Sequence, residues 1–184
     1  MTLDRLVFVE ATRITTEQPD LTPVFGTLTP DQKDSLLASL RRAEDSLFAF
    51  RDLLAAESDR WECRGVTLDT YPSGQASITG YVENPNGLSF GVELAPKNSW
   101  DGAPWEPGQE RKVMSYEGWD LTGEVWATPD RYGNTVVGEL PPRRANNPES
   151  ACEALLDVCQ ELRELAFRRP PTNEAWLVEE SDRT

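Results

Sequence analysis

Two periodicities divide the chain. From Thr29 onward apolar side chains recur at steps of three or four: Leu36, Leu40, Ala43, Leu47, Phe50 and Leu54, widened by Leu37, Phe48 and Leu53. That spacing predicts a helix over about 30–58 with one core-facing stripe. Thr29-Pro30-Asp31 supplies a cap, a first-turn proline and an acid near the positive end of the helix dipole. Between residues 61 and 140 the period drops to two. Val66 and Leu68, then Ala76, Ile78, Gly80 and Val82, then Leu88, Phe90, Val92 and Leu94, then Trp119, Leu121, Gly123 and Val125 each alternate with polar neighbours. Strict alternation in four segments means strands with one buried and one wet face, and a last strand is expected near Thr135 to Leu140. Pro72-Ser73-Gly74 and Asn84-Pro85-Asn86-Gly87 read as the hairpin turns between them.

A second helix follows the linker Pro141-Pro142-Arg143-Arg144. Asn147 caps it, Pro148 opens it, and Ala151, Leu155, Val158, Leu162 and Leu165 form its stripe before Pro170-Pro171 stop it. The expected architecture is α+β: a five- or six-stranded, mainly antiparallel sheet with two long helices, about 30–58 and 148–168, packed on one face. One domain is expected over 1–184. Residues 1–28 read as an irregular arm in which Leu6 to Val9 has the pattern of a short strand. Residues 170–184 read as a tail, with Ala175-Trp176-Leu177-Val178 as its stretch able to dock.

Charge changes this picture from a scaffold to a surface. The chain carries 32 Asp and Glu against 18 Lys and Arg, a net charge of −14, and no histidine. Half of that excess falls on residues 61–140, with twelve acids against five bases. Such a field repels nucleic acid and anionic membrane and favours basic partners. No stretch approaches the roughly 20 apolar residues of a membrane span, and the start lacks the pattern of a signal peptide. Cys63, Cys152 and Cys159 are odd in number without paired spacing, which reads as a reduced, cytoplasmic setting. Cys152 and Cys159, seven apart, are expected in the core.

Catalytic readings find little footing. The absent histidine removes the commonest general base and metal ligand and every Ser-His-Asp or Cys-His arrangement. Glu117 with Asp120 or Glu124 would serve as a glycosidase pair only on the weak ground that any acid-rich chain offers pairs. No phosphate-binding glycine motif occurs, and no cofactor or metal is expected.

Binding readings fare better. The wet positions of the strands are Asp69, Tyr71, Thr79, Tyr81, Glu83, Glu93, Asp120, Thr122, Glu124 and Trp126, acids mixed with large aromatics. An ordinary solvated face is the competing explanation. Trp126, out of phase with its strand's core pattern, tips the balance, because such aromatics are enriched at binding hot spots. A second candidate is the loop Lys97 to Gly108, where Trp100, Asp101, Trp105 and Glu106 sit in a Pro/Gly frame. It reads either as a binding element or as a lid, the lid being favoured for at least one of the two tryptophans.

In size, acidity and α+β class the chain resembles immunity proteins of bacterial toxin systems, with no signature residue shared. The resemblance implies a binding protein, not an enzyme, that neutralises a basic protein; the contact residues expected from the wet strand positions and the loop, and not from the resemblance, are Asp69, Tyr71, Tyr81, Glu83, Glu93, Trp100, Asp101, Trp105, Asp120, Glu124 and Trp126. A secretion-chaperone-like protein holding an export substrate, a nucleic-acid mimic and a carbohydrate-binding module using Trp100, Trp105 and Trp126 are the alternatives. Oligomeric state is open, a homodimer included.

Overall fold

The computed structural model describes residues 9–56, 60–84, 87–100, 112–130 and 133–181. Among the described residues seven strands form one antiparallel sheet: β1 (Glu10–Arg13), β2 (Glu62–Thr70), β3 (Ala76–Glu83), β4 (Leu88–Trp100), β5 (Val113–Asp130), β6 (Gly133–Glu139) and β7 (Arg143–Ala145). They run in the order β1-β2-β3-β4-β5-β6, and β7 also pairs with β5. β6 meets β5 from Glu124 to Asp130 and β7 meets it from Trp119 to Leu121, so the two share one edge of β5. Pro141-Pro142 interrupts them because proline cannot donate to the ladder. The stretch read as a linker is thus half strand, and the sheet exceeds the expected count by one.

The helix expected at about 30–58 is α3 (Pro30–Ala55) in a chain-order set that begins with two short turns, α1 (Ile14–Glu17) and α2 (Thr22–Phe25). Thr29 Oγ1 accepts from the Gln32 N–H while Gln32 Oε1 accepts from the Thr29 N–H, a reciprocal cap that fixes where α3 starts. Leu36, Leu40, Ala43, Leu47, Phe50 and Leu54 are buried, as their spacing requires. Leu53 is not in the stripe: it is 51 % exposed. The second long helix is α4 (Pro148–Ala166), where Asn147 Oδ1 accepts from Ser150 N at 2.8 Å. Cys152 and Cys159 lie fully inside, and burial pushes both thiols up to about 12. Both helices cover the sheet face that carries Val66, Leu68, Ile78, Val82, Phe90, Val92, Leu94, Leu121 and Val125.

The arm is not irregular. Of the strand expected at Leu6 to Val9, residues 6–8 lie outside the described residues, and β1 begins one residue after Val9. Ile14, Leu21, Val24 and Phe25 then enter the core. Trp119 Nε1 donates to Val24 O at 2.8 Å and Tyr116 Oη donates to Thr22 O at 2.6 Å, which tie α2 to β5. The tail is also built in. α5 (Asn173–Ser181) seats Trp176, 1 % exposed, edge-on against Phe90 with ring centroids 5.8 Å apart. No helix among the described residues is long and apolar enough to cross a membrane.

Candidate functional site on the open sheet face

The face away from α3 and α4 follows from register. Thr67 stands opposite Thr79, Thr79 opposite Glu93, and Glu93 opposite Thr122. One row further, Tyr81 faces Gly91, Gly91 faces Glu124, and Glu124 faces Glu139. The next row holds Glu83, Ser89, Trp126 and Val136. A cleft of about 540 Å³ opens there, and every residue lining it comes from a strand, Asp69, Tyr81, Glu83, Ser89 and Trp126 among them.

Gly91 explains how the aromatics sit. A Cβ on it would collide with the Trp126 ring and lie 2.7 Å from Tyr81 Cε1. The two side chains therefore lie over the missing side chain from either neighbouring strand, with ring centroids 5.9 Å apart at 41°. Covering a strand glycine with rings is a known way to stabilise a sheet. It also leaves both rings half-buried, turned into the cleft wall. Tyr81's hydroxyl is pushed up to about 12, first by burial and then by the charges of Asp69 and Glu93. Tyr71 is raised for the same reasons. Burial, followed by Glu139 and Glu93, raises the Glu124 carboxyl.

The proposed contact residues are not equivalent. Asp69 is 8 % exposed; its Oδ1 accepts from Thr67 Oγ1 at 3.0 Å and its Oδ2 from Thr79 Oγ1 at 2.8 Å. It is a held charge in the floor of the cleft, reaching a partner through its field more than by contact. Tyr71 and Glu93 line a neighbouring recess of about 280 Å³ with Ser77 and Asn98. Asp120 is on the same face but in the middle of β5, six residues before Trp126, and is paired with Arg144 Nε at 3.0 Å. Tyr81, Glu83 and Trp126 line one cleft, and Glu124 stands opposite Gly91 in the register. Lys97 to Trp100, expected in a loop, continue β4 past a register shift at Pro96–Asn98. The alternation fades there because the stretch Pro96-Lys97-Asn98-Ser99 has no apolar side to bury. The Trp100 side chain, Asp101 and Trp105 lie outside the described residues.

The most tightly held charge was invisible in the pattern. Glu44 lies on α3 at 6 % exposure and accepts from Arg13 Nη2 (2.9 Å), Arg13 Nε (3.2 Å), Thr15 Oγ1 (2.5 Å) and the Val66 N–H (2.9 Å). Burial alone would raise its carboxyl, but these donors outweigh it and hold the group below the usual carboxylate range. Gly65, at φ +82°, makes room: a Cβ there would run into the Glu44 carboxylate. The signal was an acid in an otherwise apolar helix row with an unpaired-looking Arg13 upstream. Glu44 anchors β1 and α1 to α3.

Among the described residues no group of three or more Cys, Asp or Glu is placed to hold a metal. Cys63 is half-buried and burial raises its thiol, which keeps it a poor nucleophile. No protein-family model, curated protein or solved structure matches the chain.

Proposed function

We propose that this chain is an acidic protein-binding module that neutralises a basic protein, in the manner of the immunity proteins of bacterial toxin systems. The observation that carries the reading is the open-face cleft, where the rings of Tyr81 and Trp126 lie among carboxylates. Half-buried aromatics give contact area at low entropic cost, and surrounding acids steer a cationic partner. Asp69, already desolvated and satisfied by two threonines, adds negative potential without needing to be stripped of water on binding. The test is capture of a basic protein from the native lysate at low and high salt, then titration of that protein against wild type and Trp126→Ala/Glu124→Lys. An affinity loss of tenfold or more is expected. Equal affinities would reject this face.

A further inference from the structure

We propose that the cleft between β2, β3, β4 and β5 is a seat for an arginine side chain of the partner, its guanidinium lying against Trp126 and Tyr81 and bonded to Glu83. The inference rests on the binding-module reading and specifies what the cleft takes. The first observation is that the chain elsewhere lays arginines on its rings, on half-buried Phe48 and on buried Trp176. Arg13 and Arg51 lie over the Phe48 ring at 5.3 and 5.1 Å, and Arg169 lies over Trp176 at 4.2 Å. Among the described residues no cation covers Tyr81 or Trp126, although both rings form wall of an open cleft. The rings cannot sink further, because the Gly91 backbone is already against them. The seat is therefore rigid, and a planar cation meets it without rearrangement.

The second observation is the supply of acceptors. Glu83 and Asp69 line the cleft, and the hydroxyls of Thr67, Thr79 and Ser89 stand beside them. In the adjoining recess, beside Glu93, the Asn98 carboxamide oxygen is buried without a hydrogen-bond partner among the described residues. A face so rich in acceptors calls for a donor-rich ligand, and guanidinium presents five N–H groups on a flat, weakly hydrated surface. A lysine ammonium matches the charge but not the flat ring surface. Among the described residues Arg64 is the one base lining the cleft, and it does not fill the seat: its side chain is 82 % exposed and its Nε stays 4.0 Å from Glu83 Oε1.

The full chain, labelled with nitrogen-15, would be titrated with capped hexa-arginine, hexa-lysine and hexa-glutamate peptides. The Trp126 indole resonance, assigned from Trp126→Phe, is the local readout. Hexa-arginine is expected to shift that resonance and to bind at least threefold more tightly than hexa-lysine, with no binding of hexa-glutamate. Glu83→Gln should weaken hexa-arginine about threefold or more. Arg64→Ala should strengthen it about twofold or more by removing a competing cation. Trp126→Leu should erase the arginine preference, and Glu83→Gln and Arg64→Ala, both at partly exposed side chains, keep the test decisive if that variant misfolds. Equal affinities for the two basic peptides, or a Trp126 resonance that does not move, would overturn the seat and leave an acidic binding surface standing. Failure of both basic peptides to bind would overturn the seat and the module reading together.

Discussion

Gly91 has no side chain, and two rings occupy the place where one would be. Gly91→Ala must push Trp126 and Tyr81 outward, since the colliding atoms belong to stiff aromatic rings with the sheet beneath them. Overpacking of this kind costs about 1–3 kcal/mol, and urea denaturation would measure it. The same variant should open the cleft wall and weaken hexa-arginine binding. Glu44 yields a prediction of the opposite character, in pH. Its folded-state carboxyl lies below its unfolded value, so its contribution to stability is complete above the unfolded value. That contribution is lost as pH falls through the folded one. Glu44→Gln leaves Arg13 without its anion and is expected to cost about 2–3 kcal/mol at pH 7. As pH falls through the lowered folded value, the difference between variant and wild type should shrink, because the wild-type carboxyl then becomes protonated too. Denaturation midpoints followed from pH 7 down through the acid range check the sign. A gap that stays constant with pH would assign the loss to packing instead of charge.

At the scale of elements, α5 shows what a short apolar patch does in a polar tail. Asn173 pins its start to β5: Thr128 N donates to Asn173 Oδ1 at 3.1 Å and Asn173 Nδ2 donates to Thr128 O at 2.9 Å, a side chain imitating a strand partner. Trp176 then closes the core over Phe90, and its indole N–H is buried without a hydrogen-bond partner among the described residues. Trp176→Ala is expected to cost about 3–5 kcal/mol. Trp176→Phe should cost well under half of that, because the smaller ring also removes an unsatisfied donor; thermal denaturation of the pair separates cavity from hydrogen-bond loss. These elements also mark what could be read from the pattern. α3, α4 and the cores of β2 to β5 were legible because each has one long apolar face with a fixed period. β1, α1, α2 and α5 were not, since each buries at most two side chains, too few to set up a period. β7 was hidden because its ladder hydrogen bonds depend on β5 and not on its own residues. The open face was legible as a list of outward positions, but the sequence could not tell that Asp69 is sunk between two threonines or that Glu124 and Trp126 flank a glycine.

For the whole molecule, the distribution of charge sets how a partner arrives and the rings set how long it stays. A net charge of −14 spread over the surface, with Glu83, Glu93, Glu124 and Glu139 gathered on one sheet face, produces a field that outreaches any single contact. At about 0.15 M salt that field decays over roughly 8 Å, so it acts on the encounter and little on the docked complex. The two steps are therefore separable by mutation. Glu124→Lys alters the field while leaving the rings in place, and is expected to slow association several-fold at low salt with a smaller change in dissociation. Trp126→Ala removes an anchor without altering charge. It should leave association within about twofold and speed dissociation tenfold or more. Raising salt from about 0.05 to 0.5 M should bring the Glu124→Lys association rate towards that of wild type, since screening removes the difference between them. It should not rescue Trp126→Ala. Stopped-flow association and surface-based dissociation against the captured basic partner measure both rates. If Trp126→Ala instead slowed association and left dissociation alone, the rings would only be covering Gly91, and the acids by themselves would make the face.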